Sequence, residues 1–316
     1  MTGLARRLAG EPIRLALIGA GAWGANYLTT APRVPGVSLD IVCDPCAKAR
    51  VSARELAPRV EAVESLEEVF ERGVDGVVVA TPPASHVSVA TRCFDAGLHV
   101  LVEKPLAVEE AGARAVLAAS ERADRVLLVG HLMLHHPAVE NLIASVRAGD
   151  LGQVMEFHAE RTSRGARRST ESPLWSLGPH DVATLLALLP GPVATVRMDG
   201  NSSASEASLF AALGGGVEAR FRWSRSASTL VRKIYVRGTR GEATLDEREQ
   251  VLTTPTGSWS FEGEEAPLLR QFRHFAACIR GEATPNPTPE LAAEVVRFLS
   301  LAQSSQLAAA PLSAAS

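Results

Sequence analysis

The sequence predicts an α/β protein: an N-terminal doubly wound parallel sheet followed by an α+β domain with an open, mostly antiparallel sheet. Three observations carry this. The apolar segment from Ile13 runs straight into Gly19-x-Gly21-x-x-Gly24. Strand and helix patterns then alternate to about His131, as a parallel sheet with crossover helices requires. Beyond that point short segments of alternating polarity dominate, the pattern of strands with one covered face. At 316 residues the chain is long enough for two cores of ordinary size. The boundary is placed between a first domain of residues 1–133 and a second of residues 134–316.

In chain order, the first strand starts at Ile13 and a helix is expected from near Ala22. The next strand runs from Ser38 to Cys43, and a helix from Ala47 to Leu56 ends before Pro58. Ser65 and Glu68 have the spacing of a capping box, in which each side chain satisfies an orphan backbone N–H of the other's residue. Val74 to Ala80 is an apolar strand, followed by Thr81-Pro82-Pro83 and a helix from Ser85 to Ala96 closed by Gly97. A strand from His99 to Val102, a helix from Glu109 to Ala123 and a strand from Val126 to Gly130 complete the first domain. The second opens with a helix from Pro137 to Ala148. Strands follow at Val154 to Arg161, Val193 to Met198, Ala207 to Leu213, Val217 to Trp223 and Lys233 to Arg237, with an apolar helix from His180 to Leu189 among them. Amphipathic helices from Leu268 to Arg280 and Pro289 to Ser304 close the domain, and the tail from Ala308 is expected to fray.

The glycine spacing has a physical reading. Gly19 permits a tight turn, Gly21 lets backbone N–H groups approach a pyrophosphate, and Gly24 allows close helix packing. The helix that follows directs its positive end at the phosphates. The first domain is therefore expected to be a dinucleotide-binding Rossmann domain. Asp44 ends the second strand twenty residues after Gly24. Its carboxylate suits the ribose hydroxyls of NAD and would repel the extra phosphate of NADP. NAD is the expected cofactor, and Lys48 and Arg50 keep NADP open.

Composition excludes several classes. The formal net charge of −3 gives no reason to expect a nucleic-acid partner. No apolar run reaches the roughly 20 residues of a membrane span, and the first ten residues lack the apolar core of a signal peptide. A cytoplasmic protein is expected. Cys43, Cys46, Cys93 and Cys278 do not make a disulfide framework in a chain this long. Cys43-Asp-Pro-Cys46 has metal-pair spacing, but no second pair or nearby histidine follows, so no metal is expected.

Glu103-Lys104-Pro105 stands at the carboxyl end of a strand, the edge where ligands of doubly wound sheets lie. Lys104 there can hold a substrate oxygen and share its proton while hydride moves. On Gly19-Ala-Gly-Ala-Trp-Gly24, the Ala80 to His86 segment, Glu103 to Ala107, Val129-Gly-His131 and Leu174 to Asp181, the chain resembles the Gfo/Idh/MocA family of NAD(P)-dependent oxidoreductases. Its glycine loop with Trp23, its Gly130 to Pro137 segment and its Trp175 to Asp181 segment look most like members acting on sugars or nucleotide sugars.

The resemblance implies a Rossmann domain, an open-faced sheet domain that dimerises or tetramerises, and Lys104 and His180 as the catalytic lysine and histidine. The candidate cofactor set is Gly19, Gly21, Ala22, Trp23, Gly24, Asp44, Thr81, Pro82, His86, Glu103 and Lys104. The candidate substrate set is His131, Arg161, Arg164, Trp175, Ser176 and Asp181. Arg161, Arg164, Arg167 and Arg168 form a basic stretch that could hold a substrate diphosphate. One departure matters: many members carry an aspartate where this chain has Ser176, and serine supplies no charge for an imidazolium. Asp181 could compensate, or could cap its helix.

The expected function is interconversion of a hydroxyl and a ketone on a sugar, carried as a nucleotide sugar. A cyclitol, free sugar or imine is the alternative substrate, and a non-catalytic dinucleotide-binding sensor the alternative class.

Overall fold

The computed structural model describes residues 11–163, 172–199 and 202–309. It divides into two compact units: residues 1–132 with 265–293, and residues 133–264 with 294–316.

In the first unit β1 (Ile13–Ile18), α1 (Gly24–Thr30), β2 (Val37–Cys43), α2 (Ala47–Leu56), β3 (Glu61–Val63), α3 (Leu66–Glu71), β4 (Gly76–Val79), α4 (Pro83–Asp95), β5 (His99–Glu103), α5 (Glu110–Ala123) and β6 (Leu127–Gly130) follow one another. The sheet is wholly parallel in the order β3-β2-β1-β4-β5-β6. That order reverses direction beside β1, so the carboxyl ends of β1 and β4 open the crevice in which such sheets bind dinucleotides. β4 and β6 are buried at every position, as strands covered on both faces must be. The capping box of α3 forms with both of its bonds, from Glu68 N–H to Ser65 Oγ and from Ser65 N–H to Glu68 Oε1.

The second unit contains α6 (Pro137–Ala148), β7 (Val154–Thr162), α7 (Pro173–Ser176), α8 (Gly178–Leu188), β8 (Val193–Met198), β9 (Glu206–Leu213), β10 (Val217–Ser224), β11 (Arg232–Gly238), β12 (Glu242–Asp246), β13 (Val251–Thr254) and β14 (Gly257–Ser260). Its sheet runs β14-β13-β12-β11-β7-β10-β9-β8, antiparallel except for β7 beside β10. Alternation gives the two faces different chemistry. One buries Phe157, Phe221 and Trp223, with Phe221 stacked on Trp223 at 5.1 Å and edge-on to Phe298 at 5.9 Å. The other carries exposed charges in cross-strand pairs, among them Glu156 with Arg237, Glu160 with Arg222 and Lys233 with Asp246.

The domain expectation is corrected at one element. α9 (Pro267–Arg280), expected in the second domain, belongs to the first unit. Its apolar stripe Leu269, Phe272, Phe275, Ala276 and Ile279 is buried in one cluster with Ile13, Leu15, Tyr27, Val42 and Leu101. The sheet buries both faces, and this late helix supplies part of one cover. The final helix, α10 (Pro289–Ala309), contains the division between the units. Four short strands, β3 and β12 to β14, add to those that the sequence pattern marks. No described helix is long and apolar enough to cross a membrane.

Candidate active site

The first unit gathers its candidate residues at the carboxyl ends of its strands. Gly19 follows β1 with φ of +98°, and a Cβ on it would come within 2.7 Å of the Ala80 carbonyl. A Cβ on Gly24 would lie 2.1 Å from Gly19 O, whereas one on Gly21 would meet nothing within 4 Å. Two glycines thus close the turn and the third leaves its backbone open, the cradle a pyrophosphate needs. Ala22 and Trp23 lead into α1. Asp44 is held in place: Oδ2 accepts from Ala20 N–H and Oδ1 from Cys46 N–H, both at 2.8 Å. Arg50 donates to the carbonyls of Asp44 and Pro45 and to Glu64 Oε2 at 2.9 Å, so its guanidinium is committed away from a ribose phosphate. The cradle and the placed carboxylate fit NAD.

Glu103 is the centre of a buried network. Its Oε1 accepts from Trp23 Nε1 and, at 2.6 Å, from Tyr27 OH, while Oε2 accepts from Lys104 N–H at 3.2 Å. Gln271 of α9 donates to Tyr27 OH at 3.0 Å. Burial pushes the carboxyl pKa up, opposed by the bonds from Tyr27 and Trp23 and by the Lys104 charge. Glu103 therefore ties the glycine loop, α1 and the lysine together, a structural place in addition to its expected place beside the cofactor. The partners Tyr27 and Gln271 carry no motif and are not marked by the sequence.

His86 is likewise a tie. Its buried ring places Nδ1 2.8 Å from Pro105 O and Nε2 2.9 Å from Thr81 O, joining the loops after β4 and β5. Thr81 Oγ1 accepts from Ser85 Oγ at 2.8 Å, and Pro82 precedes α4. Lys104 is half-buried, and its peptide bond to Pro105 is cis.

His131 leaves β6 as Lys104 leaves β5, because Glu103 and Gly130 are register partners. Its ring is 1% exposed and neither nitrogen has a hydrogen-bond partner. Burial, then the Lys104 charge, pushes its pKa down to about 3. His131 is a neutral imidazole at physiological pH. Its enclosure makes it a wall beside the lysine rather than an open substrate ligand.

In the second unit His180 is the third residue of α8, in a segment fixed by packing: a Cβ on Gly178 would lie 3.3 Å from the Trp223 ring. Two expectations are corrected here. Arg161 donates to Asp181 from Nε and Nη2, the latter at 2.8 Å, and to Glu247 from Nη1 at 3.0 Å and from Nη2. Trp223 Nε1 donates to Asp181 Oδ2 at 2.8 Å. Burial opposes the Arg161 charge, but Asp181 and Glu247 outweigh it and hold the guanidinium firmly protonated. Arg161 is thus no open phosphate fork, and Asp181 is committed to a closed ion network rather than to substrate. Glu247, eighty-six residues from Arg161, had no sequence signal.

Ser176 Oγ donates to Ser172 O at 2.9 Å, and Trp175 Nε1 donates to Gln303 Oε1 at 2.5 Å. Arg164, Arg167 and Arg168 lie outside the described residues. Cys43 is buried with its thiol pKa pushed up to about 11, first by burial and then by Asp44, and Cys46 is exposed. No metal-binding cluster is found among the described residues.

Residues 13–131 match the family described as "Oxidoreductase family, NAD-binding Rossmann fold". The chain is 31% identical over 179 residues to 4-carboxy-2-hydroxymuconate-6-semialdehyde dehydrogenase of Sphingobium sp. (strain NBRC 103272 / SYK-6), covering 54% of this chain and 57% of that one. It is 28% identical over 201 residues to inositol 2-dehydrogenase 1 of Saccharopolyspora erythraea, covering 62% and 60% respectively. It is also 28% identical over 168 residues to UDP-N-acetylglucosamine 3-dehydrogenase of Acidithiobacillus ferrooxidans, covering 52% of each. The chain thus spans about half to three-fifths of the length of these curated relatives. Among solved structures, a putative oxidoreductase from Magnetospirillum magnetotacticum MS-1 superposes with a TM-score of 0.79 at 29% identity, covering 92% of this chain and all of that one. Residues 13–131 thus match the NAD-binding Rossmann domain of the Gfo/Idh/MocA oxidoreductase family, and over more than half of its length the chain resembles dehydrogenases.

Proposed function

We propose that the protein is an NAD-dependent oxidoreductase interconverting a hydroxyl and a ketone on a sugar ring carried as a nucleotide sugar. The observation that carries this reading is the placement of Lys104, at the carboxyl end of β5 in the sheet that bears the NAD cradle, beside a neutral buried histidine. When bound, NAD supplies hydride acceptance or donation at its nicotinamide. The glycine-loop backbone holds the pyrophosphate, and Asp44 accepts from the ribose hydroxyls. Trp23, Tyr27 and the Lys104 N–H fix the Glu103 carboxylate, and that fixes the backbone from which Lys104 projects. Lys104 holds the substrate oxygen and moves its proton, and His180 is the second proton-transfer group. The relative named for UDP-N-acetylglucosamine supports a nucleotide sugar, and the one named for inositol supports a cyclitol as the second substrate class. We further propose that the protein works as a homo-oligomer in the cytoplasm, assembled through the open sheet face that bears the charge pairs. Sedimentation at low and high salt checks the assembly.

The sensor reading has one specific observation in its favour. Ser176 stands where many family members carry an aspartate and has no charge to give, and the Asp181 carboxylate is held by Arg161. Purified protein mixed with NAD and a panel of nucleotide sugars and cyclitols separates the two. Substrate-dependent NADH formation supports the enzyme, whereas tight NAD binding with no turnover across the panel supports the sensor.

A further inference from the structure

Arg225 carries a feature that the proposed chemistry leaves unused. It follows β10 directly, and its backbone N–H still bonds to Ser205 O at 2.8 Å, one step beyond the Ser224–Glu206 pair. The backbone pairing therefore reaches one residue past the strand. Arg225 lies two residues beyond Trp223, whose indole meets Asp181 and Gly178. The residue is partly exposed, yet its Nε and Nη1 are closed off from solvent with no hydrogen-bond partner among the described residues. The neighbouring acid, Glu206, accepts from Ser224 Oγ at 3.2 Å. Arg161, two rows away on β7, has its guanidinium filled by two carboxylates. Arg225 has none among the described residues.

A guanidinium is always charged, and donors buried without acceptors are among the costliest groups a fold can keep. Such a group becomes favourable when an oxyanion supplies the acceptors, since bonds between guanidinium and carboxylate or phosphate are charge-assisted. We propose that Arg225 is the anion-recognising residue of the second unit, pairing a phosphate or carboxylate oxygen of the substrate. The proposal rests on the reading that this unit receives substrate, and it replaces Arg161 in the role first expected of the basic stretch. It also predicts an unusual combination: loss of the side chain should harm binding without harming the fold.

The test is thermal unfolding of the full chain with saturating NAD in every sample, so that the glycine-loop phosphate site is already filled. Inorganic pyrophosphate, UDP and succinate are the probes, each matched against sodium chloride at equal ionic strength. Wild type should melt higher with an oxyanion, because a ligand that binds only the folded state stabilises it. A response to pyrophosphate and UDP marks a phosphorylated substrate, and a response to succinate a carboxylated one. Arg225→Met should melt at the same or a higher temperature without anion, and its affinity should fall about tenfold or more. Arg225→Lys should keep part of the response. Three results would overturn the proposal: no probe stabilises wild type, Arg225→Met responds as wild type does, or Arg225→Met melts lower without anion. The readout needs no turnover, so failure of the hydride-transfer reading and failure of this one are seen separately.

Discussion

Gly130 stands in register with Glu103 across β5 and β6, and a Cβ on it would come within 3.1 Å of the Glu103 carboxylate. That carboxylate is held by Trp23, Tyr27 and the Lys104 N–H, so it has little freedom to move aside. The glycine before His131 is thus required by an acid on the neighbouring strand. Gly130→Ala is expected to cost about 1–3 kcal/mol of stability, the usual price of overpacking. It should also weaken NAD binding, because the displaced carboxylate releases the indole of the glycine loop. Chemical denaturation and a NAD titration check this; a variant unchanged in both would show that Glu103 has slack.

Gly24→Ala should act on the cofactor more directly. Its Cβ would lie 2.1 Å from Gly19 O, so the turn itself must open. We expect NAD affinity to fall about tenfold or more, since the backbone donors no longer converge. Equilibrium dialysis measures it, and wild-type affinity in the variant would remove the glycine loop from the binding account.

His131 gives a pH dependence whose sign is fixed. Its pKa is about 3 when folded and 6.5 when unfolded, so the unfolded chain binds the extra proton between those values. Stability is unaffected above about pH 6.5 and falls as pH drops toward 3, by up to about 1.4 kcal/mol per pH unit. The raised pKa of Glu103 works in the opposite direction over part of that range, because the folded state then holds the proton more tightly. His131→Phe isolates the histidine: its unfolding free energy should show a shallower acid slope than wild type. Identical slopes would mean that the ring is protonated in the folded protein.

Arg161→Met would leave Asp181 and Glu247 buried without their shared cation. Breaking such a network by removing one partner costs about 3–5 kcal/mol. The loss should diminish as pH falls and the freed carboxylates take up protons. Urea denaturation at two pH values reads both effects, and a loss below about 1 kcal/mol would place the network in water.

Local signals made much of this legible. The glycine spacing, the capping box of Ser65 and Glu68, and the apolar runs of β1 and β4 are each written within a few residues, and the elements appear where they point. The strands β12 to β14 are only 4–5 residues long, too short for alternation to stand out. α9 was legible as an amphipathic helix but not as part of the first unit, since its stripe would suit any core. The site followed the same rule. Lys104, His180 and Asp44 stand in motifs, whereas the pairings of Tyr27 with Glu103 and of Arg161 with Glu247 join residues 76 and 86 positions apart. No local period encodes a contact of that range.

Hydride transfer with Lys104 moving the proton is read by NADH absorbance. Wild type and Lys104→Ala would be mixed with NAD and a panel of nucleotide sugars and cyclitols, after NAD binding to both is measured. Wild type should turn over at least one substrate, and the rate should fall about 10²–10⁴-fold in the variant with NAD binding retained. Equal rates in the two proteins, or no turnover by a wild type that binds NAD tightly, would contradict it.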